Sequence, residues 1–491
     1  MVVAEDKANR STMTTTLSRM TPKFAFALVS FSLGELGDGL NIFQGIYLVG
    51  IGWNEGSVGI ALSLMGFTCL IVQTIAGDVI DKTQLDRRVF LAIAALVTAL
   101  SASAILMVRE GNTDHMLIFI SKIIEGVAGS FIGPCLAALT LASFGPMHFD
   151  AIMANNIFWA HLGAVSAAIL AGSSAYILYP KIKYSFLVIG FSALLAVAFV
   201  QYLPQGDPQM GRGFKGKVAM NEQGRLESID TMSSPSDIGA APKPAPVQQA
   251  SSYWEVFSDR KTSILCVTGF FFHFANANVL LVLGELMGGD NEDGSPTRTA
   301  LPLIAGAIVL AQFTMALATI GCDKLTRRSV GRKPMFLVGL VTLPIRCALI
   351  IYWKDSGDGW LLSTQILDGL AGGICGLLHA LLVADITFGT GRFNVVMGLT
   401  ASCFGLGATL SNFIGQLVVE KMGHAASLSG SFILSLIPVV VFGIMMPETM
   451  GRRGHGYAPK PHKAENEMRH NQMELTQTEP RASTTPYREM I

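Results

Sequence analysis

Glu35, Asp38 and Asn41 recur at intervals of three inside an otherwise apolar stretch, and they are the first residues whose spacing suggests chemistry. Steps of three drift slowly round a helix, so all three side chains can face one cavity. Two carboxylates that close push one pKa upward, which suits a site that takes up and releases protons. A charge at the centre of a hydrocarbon layer costs about 2.5–3.5 kcal/mol on insertion scales, so such residues are functional candidates by default. The plainer alternative is a polar contact between helices. Lys122 and Glu125 stand at i and i+3 of another apolar stretch, spaced to pair. Asp368 holds the place of Glu125 in the second half of the chain. His273, Asn276 and Asn278 share one stretch, and Asn155, Asn156 and His161 share another. Asn156, His273 and above all Asn276, near the middle of its stretch, are candidates to line the same cavity. A lone buried His or Asn, however, more often completes an interhelical hydrogen bond. His379, Asp385 and Arg346 read as gate or interface residues. With more acids than bases, such a cavity suits cationic, zwitterionic or neutral organic solutes. An obligate anion would ask for arginine clamps.

Those side chains need long apolar helices to hold them. The chain has 491 residues, 51% hydrophobic and only 14% charged. A soluble protein carries nearer a quarter charged residues, so a membrane protein is expected. A spanning helix takes roughly 20 apolar residues. Twelve stretches qualify: about 24–49, 57–77, 88–108, 115–142, 151–178, 184–203, 263–287, 300–320, 334–353, 360–386, 393–419 and 426–446. They lack the alternating polarity of a barrel strand, which leaves helices as the way to satisfy the backbone in lipid. The first is too long for a signal-peptide core and is expected to be retained. The seven cysteines lie in or beside apolar stretches without metal-ligand spacing. No phosphate-binding loop, HExxH or CxxC occurs, so neither metal, cofactor, nucleic acid nor enzymatic activity is expected.

Twenty-seven of the 35 Lys and Arg fall on the side shared by the two termini, and six fall on the other. By the positive-inside rule both termini are cytoplasmic. The expected organisation is a leader at 1–23, a six-helix bundle at 24–203 and a linker at 204–262. A second bundle at 263–446 and a tail at 447–491 complete it. Residues 204–250 are rich in Gly, Pro, Ser and Gln and read as disordered. Tyr253, Trp254 and Phe257 are expected in the headgroup layer. The tail is expected to be disordered, with Arg452 and Arg453 at the lipid surface or acting as a stop signal.

Two charged hinges organise the rest. Gly77–Arg88 joins spans two and three, and Gly321–Lys333 joins spans eight and nine. Ile124-Glu125-Gly126-Val127-Ala128-Gly129 matches Leu367-Asp368-Gly369-Leu370-Ala371-Gly372 at a displacement of 243. Asp81-Lys82 matches Asp323-Lys324, and Gly163 matches Gly405, both at 242. Three matches in register and in order argue for a duplicated six-span unit. Glycines three and four apart let helices approach closely, and smooth faces can also rock.

The hinges carry a resemblance. Gly77, Asp81, Lys82, Arg87 and Arg88 fit the G-x-x-x-D-[RK]-x-G-[RK]-[RK] mark of the major facilitator superfamily. In this copy Asp86 stands in place of the Gly, and the spacing is two residues longer. Asp323, Lys324, Gly331, Arg332 and Lys333 form a weaker second copy, with Thr319 at the leading Gly. The resemblance covers about 24–446. It implies an all-α membrane protein of twelve transmembrane helices in two six-helix pseudo-symmetric bundles. By that resemblance the hinges latch the bundles while the cavity opens outward, and Lys122 stands where many antiporters place an Arg. Pro447-Glu448-Thr449-Met450-Gly451 looks like the ending of sugar porters, whose glutamine-rich signature on helix seven is absent. The expected protein is a monomeric plasma-membrane secondary transporter exporting a small organic metabolite or xenobiotic by proton antiport. Proton-coupled nutrient uptake and a transporter-like sensor or scaffold are the alternatives.

Overall fold

The computed structural model describes residues 20–34, 51–83, 85–109, 113–178, 181–214, 249–288 and 300–453, with a few isolated positions besides. Glu35, Asp38 and Asn41 lie outside the described residues. Twelve apolar helices are labelled here in chain order. The first half holds α1 (Pro22–Leu33), α2 (Glu55–Lys82), α3 (Arg87–Ala102), α4 and α5 (the two arms of His115–Leu178) and α6 (Leu187–Val200). The second holds α7 (Arg260–Gly288), α8 (Ala300–Leu325), α9 (Arg332–Trp353), α10 (Gln365–Ile386), α11 (Phe393–Met422) and α12 (His424–Met445). Among the described residues, ten helices are long and apolar enough to cross a membrane. One of them is the bent His115–Leu178, and Pro22–Leu33 is a shorter apolar helix. The two three-residue strands described, Val218–Met220 and Leu226–Ser228, pair antiparallel within the linker.

Helix ends follow local chemistry. Asn54 accepts from the Ser57 amide at 2.7 Å to start α2, and Asp86 accepts from the Arg88 amide at 2.9 Å to start α3. The expected loop between spans four and five is instead a sharp bend. Gly145, at φ 69°, adopts a conformation that an L side chain would resist, and Pro146 begins the next arm. The second hinge is also less of a loop than expected. Helix α8 runs to Leu325 and widens into a π turn over Thr326–Val330, and the chain then turns at Gly331.

Each half is centred on an apolar core. Phe26, Leu91 and Phe186 belong to the first, and Leu265, Phe336, Leu377 and Phe442 to the second. The cores cross the seam: Ile308 of α8 joins the first, and Leu141, Phe149 and Met153 of α4 and α5 join the second. The halves meet along α2 against α11 and α5 against α8. The repeat is visible in packing. A Cβ on Gly126 would press on Met65 O and Thr68 at 2.8 and 2.9 Å, and one on Gly369 would press on Ala311 O and Thr314, both at 2.5 Å. Gly163 packs on the Phe31 carbonyl of α1. Its packing counterpart is Gly407, on the Phe270 carbonyl of α7, and not Gly405, which faces open space. Gly129, Gly133 and Gly376 likewise face open space, so close approach explains only part of the glycine pattern.

Candidate functional site

At the end of the bundles carrying both hinges, called here the hinge face, Gly77 and Asp81 act as a pair one helical turn apart. A Cβ on Gly77 would overlap the Asn394 carbonyl, so glycine lets α2 lie against the start of α11. One turn on, Asp81 is fully buried and accepts from Asn394 Nδ2 at 2.7 Å and from the Val395 amide at 3.1 Å. A carboxylate from the first half thereby caps the N-terminus of a helix in the second, where unpaired amides and the helix dipole favour negative charge. Gly77→Ala should lower the melting temperature despite alanine's better helix propensity. Gly129→Ala, where the added carbon meets open space, should not. Equal melting of the two variants would remove the close-approach argument.

The bases of this hinge do other work. Arg87 Nη2 donates to Pro208 O at 3.2 Å. Arg88 pairs with Asp86 at 2.6 Å and donates to Leu203 O at 2.8 Å. Lys82 pairs with Asp78 at 2.6 Å at the surface, and Asp78 also accepts from the Tyr253 hydroxyl at 2.5 Å. Arg392 lies over the Tyr253 ring, 4.0 Å from its centroid. Tyr253 is thus bound into the hinge face, whereas Trp254 is 80% exposed.

The linker does not begin as disorder. Residues 204–214 form a strap across both halves. The Asp207 amide donates to Ala142 O at 2.9 Å, Asn394 Nδ2 donates to Gly211 O at 3.0 Å, and the Gly389 amide donates to Gly213 O at 2.7 Å. Phe214, 2% exposed, seats its ring over Gly391, where any side chain would collide with it.

The second hinge does not repeat the cap. Asp323 pairs with Arg327 of its own turn at 2.5 Å, and Lys324 is exposed. The bond between halves is carried instead by Arg332, whose Nη2 lies 2.8 Å from Asp150 of α5. Its Nε lies 2.8 Å from Asp385 of α10, an ion contact without hydrogen-bond alignment. Arg453 closes the square, 2.5 Å from Asp150 and 2.6 Å from Asp385. All four side chains are at most 5% exposed. Two carboxylates and two guanidiniums balance, as buried charges must. Burial disfavours the Arg453 cation, but Asp150 and Asp385 more than offset this and raise its pKa. The Pro447–Gly451 run positions this arginine. Glu448 accepts from the Arg332 and Lys333 amides at 3.1 and 3.0 Å, capping α9, and Thr449 donates to Asp385 at 2.8 Å. The tail is therefore ordered to Arg453, which is buried and reaches neither lipid nor solvent. Asp150 and the roles of Glu448 and Arg453 escaped the sequence reading.

Deeper in, the ionisable residues are paired. Lys122 and Glu125 meet at 2.9 Å, 3% and 6% exposed. Asp368, Asn276 and Arg346 converge from α10, α7 and α9: Arg346 Nη1 is 2.7 Å from Asp368 and 2.8 Å from Asn276 Oδ1, and Asn276 Nδ2 is 3.3 Å from Asp368. Arg346, expected at a gate or interface, is the counter-ion of Asp368. Glu125 and Asp368, matched by the repeat, each hold a buried cation from a different source. Asn156 bonds Thr140 at 2.9 Å and Asn278 bonds Ser427 at 2.8 Å, so both are interhelical contacts within one half. His161 crosses between halves to Gln312 at 2.6 Å, and Thr74 to Ser402 at 3.3 Å. His273 lies away from the Asp368 triad's hydrogen bonds, stacked on Phe404 with centroids 5.2 Å apart.

Similarity to known proteins agrees with this architecture. Residues 11–330 match the family model of the Major Facilitator Superfamily. Two uncharacterized MFS-type transporters of Mycobacterium tuberculosis, from strains CDC 1551 and H37Rv, are each 30% identical over 443 residues, covering 89% of this chain and 96% of the relative. A crystal structure of the nucleoside transporter NupG, in mutant form, superposes with a TM-score of 0.56 at 15% identity. That match covers 87% of this chain and all of that one, a likeness of fold. The chain is a multi-pass membrane protein and belongs to the Major Facilitator Superfamily.

Proposed function

We propose that this protein is a secondary active transporter that works by alternating access. It exchanges protons for a small organic metabolite or xenobiotic, which it exports. The observation that carries the reading is the hinge face. Two bundles are tied there by a helix cap and an ion square, both built from polar contacts that can break and remake. Rocking about the α2–α11 and α5–α8 seams then exposes a midplane site alternately to each side. By the distribution of Lys and Arg, the hinge face is cytoplasmic. We further propose that the protein acts as a monomer in the plasma membrane. Glu35 and Asp38 are assigned the exchangeable protons, and the Arg346–Asp368–Asn276 triad links proton and cargo in the second bundle.

The test uses full-length protein in liposomes with an imposed pH gradient, and cargo chosen by a thermal-shift screen of metabolites. Gradient-driven cargo flux is expected, and Asp38→Asn should abolish its dependence on pH. Flux in Asp38→Asn that stays fully pH-driven would show that this carboxylate does not couple.

A further inference from the structure

A cavity of about 130 Å³ lies wholly within the second bundle, lined from α7, α9, α10 and α11. Among the described residues, all that line it belong to the second half. Phe272, Phe336 and Phe404 give it flat apolar walls, and His273 and His379 add two imidazoles. Phe404 is wedged between those two rings, with centroids 5.2 and 4.6 Å away. Apolar cavities near this size stay dry and accept a single aromatic ring.

The hydrogen bonding indicates what else the ring must carry. Thr400 Oγ1 donates to Val396 O at 2.8 Å, so it accepts from His379 Nε2 at 2.7 Å. In the neutral imidazole that leaves Nδ1 as an acceptor. Among the described residues His273 has ring contacts but no hydrogen bond to another side chain or the backbone. We infer that this cavity binds a single-ring aromatic molecule bearing a hydrogen-bond donor, a phenol or an azole, with the ring between the phenylalanines and its O–H or N–H on a histidine. The site does not depend on the transport reading.

Gly376 supplies the test, because it lines the cavity and a Cβ there meets open space. Fluorine NMR of para-fluorophenol with detergent-purified full-length protein should show a saturable resonance distinct from micelle-dissolved probe. Gly376→Leu fills the cavity and should erase that resonance without lowering the melting temperature. In wild type para-fluorotoluene, which lacks the donor, should bind roughly three- to tenfold more weakly. His379→Phe keeps a ring in place and should shrink that preference. A resonance that survives in Gly376→Leu, no saturable resonance in wild type, or equal affinity for the two probes would overturn the proposal.

Discussion

Arg332→Met should open the hinge face and lower the melting temperature of the purified protein more than any surface substitution. Its guanidinium is 1% exposed and touches both Asp150 and Asp385, which are themselves buried. Removing it leaves two carboxylates to share Arg453. Breaking a buried ion pair by removing one partner costs about 3–5 kcal/mol, because the remaining charge stays desolvated. The cost falls on the state in which the halves are joined, since Asp150 belongs to α5 and its partners to the second half and tail. A melting scan and maleimide labelling of a cysteine at Phe149 would check this, as Phe149 is buried against Phe393 in the closed arrangement. Lower stability with faster labelling is expected. Arg332→Lys should fall between, since a point charge cannot serve two carboxylates as a planar fork does. Wild-type melting and labelling in Arg332→Met would mean the square is ornamental to closure.

This square also marks where sequence reasoning stops. The helical spans were legible because apolar length is a local property, and the repeat because its matches fall in order at displacements of 242 and 243. The Lys122–Glu125 pair was legible because three residues on one helix fix the separation. Arg346 and Asp368 were each noticed as intramembrane charges, but two helices must be placed before they become a pair. Asp150 and Arg453 are 303 positions apart. One sits at a helix start and the other in a tail, where charges ordinarily mark topology. The available signal was Pro447–Gly451, an ordered motif directly before Arg453. The bend at Gly145-Pro146 was hidden because this dipeptide is equally at home in a loop. The strap at 204–214 was hidden because composition cannot distinguish a disordered Gly-rich segment from one docked by backbone bonds.

Asp368→Asn should have the second large effect, on both stability and coupling. Arg346 is 1% exposed, and Asp368 is the carboxylate on it, at 2.7 Å. Asparagine preserves the shape but leaves the guanidinium without a counter-charge, again at a cost of about 3–5 kcal/mol. Asp368→Asn with Arg346→Met should recover much of the lost stability, because removing both charges removes the desolvation penalty. Proton-driven flux should stay lost in the recovered double variant, because the triad that links proton and cargo is then gone. Thermal melts across the four-member cycle, with flux measured in liposomes, would separate the two effects. Recovery of flux along with stability would assign the triad a structural role alone.

The central claim is that the halves rock about their shared seams, closing one face as the other opens. Paired spin labels measure this most directly. One pair joins the halves on the hinge face, at Leu85, which is 69% exposed, and at the exposed Lys324. The other pair joins them on the opposite face, at the exposed Lys181 and Lys354. Introducing Asp81→Asn, which weakens the cap on α11, should lengthen the first distance and shorten the second. Distances that stay fixed, or that lengthen together, would contradict the account.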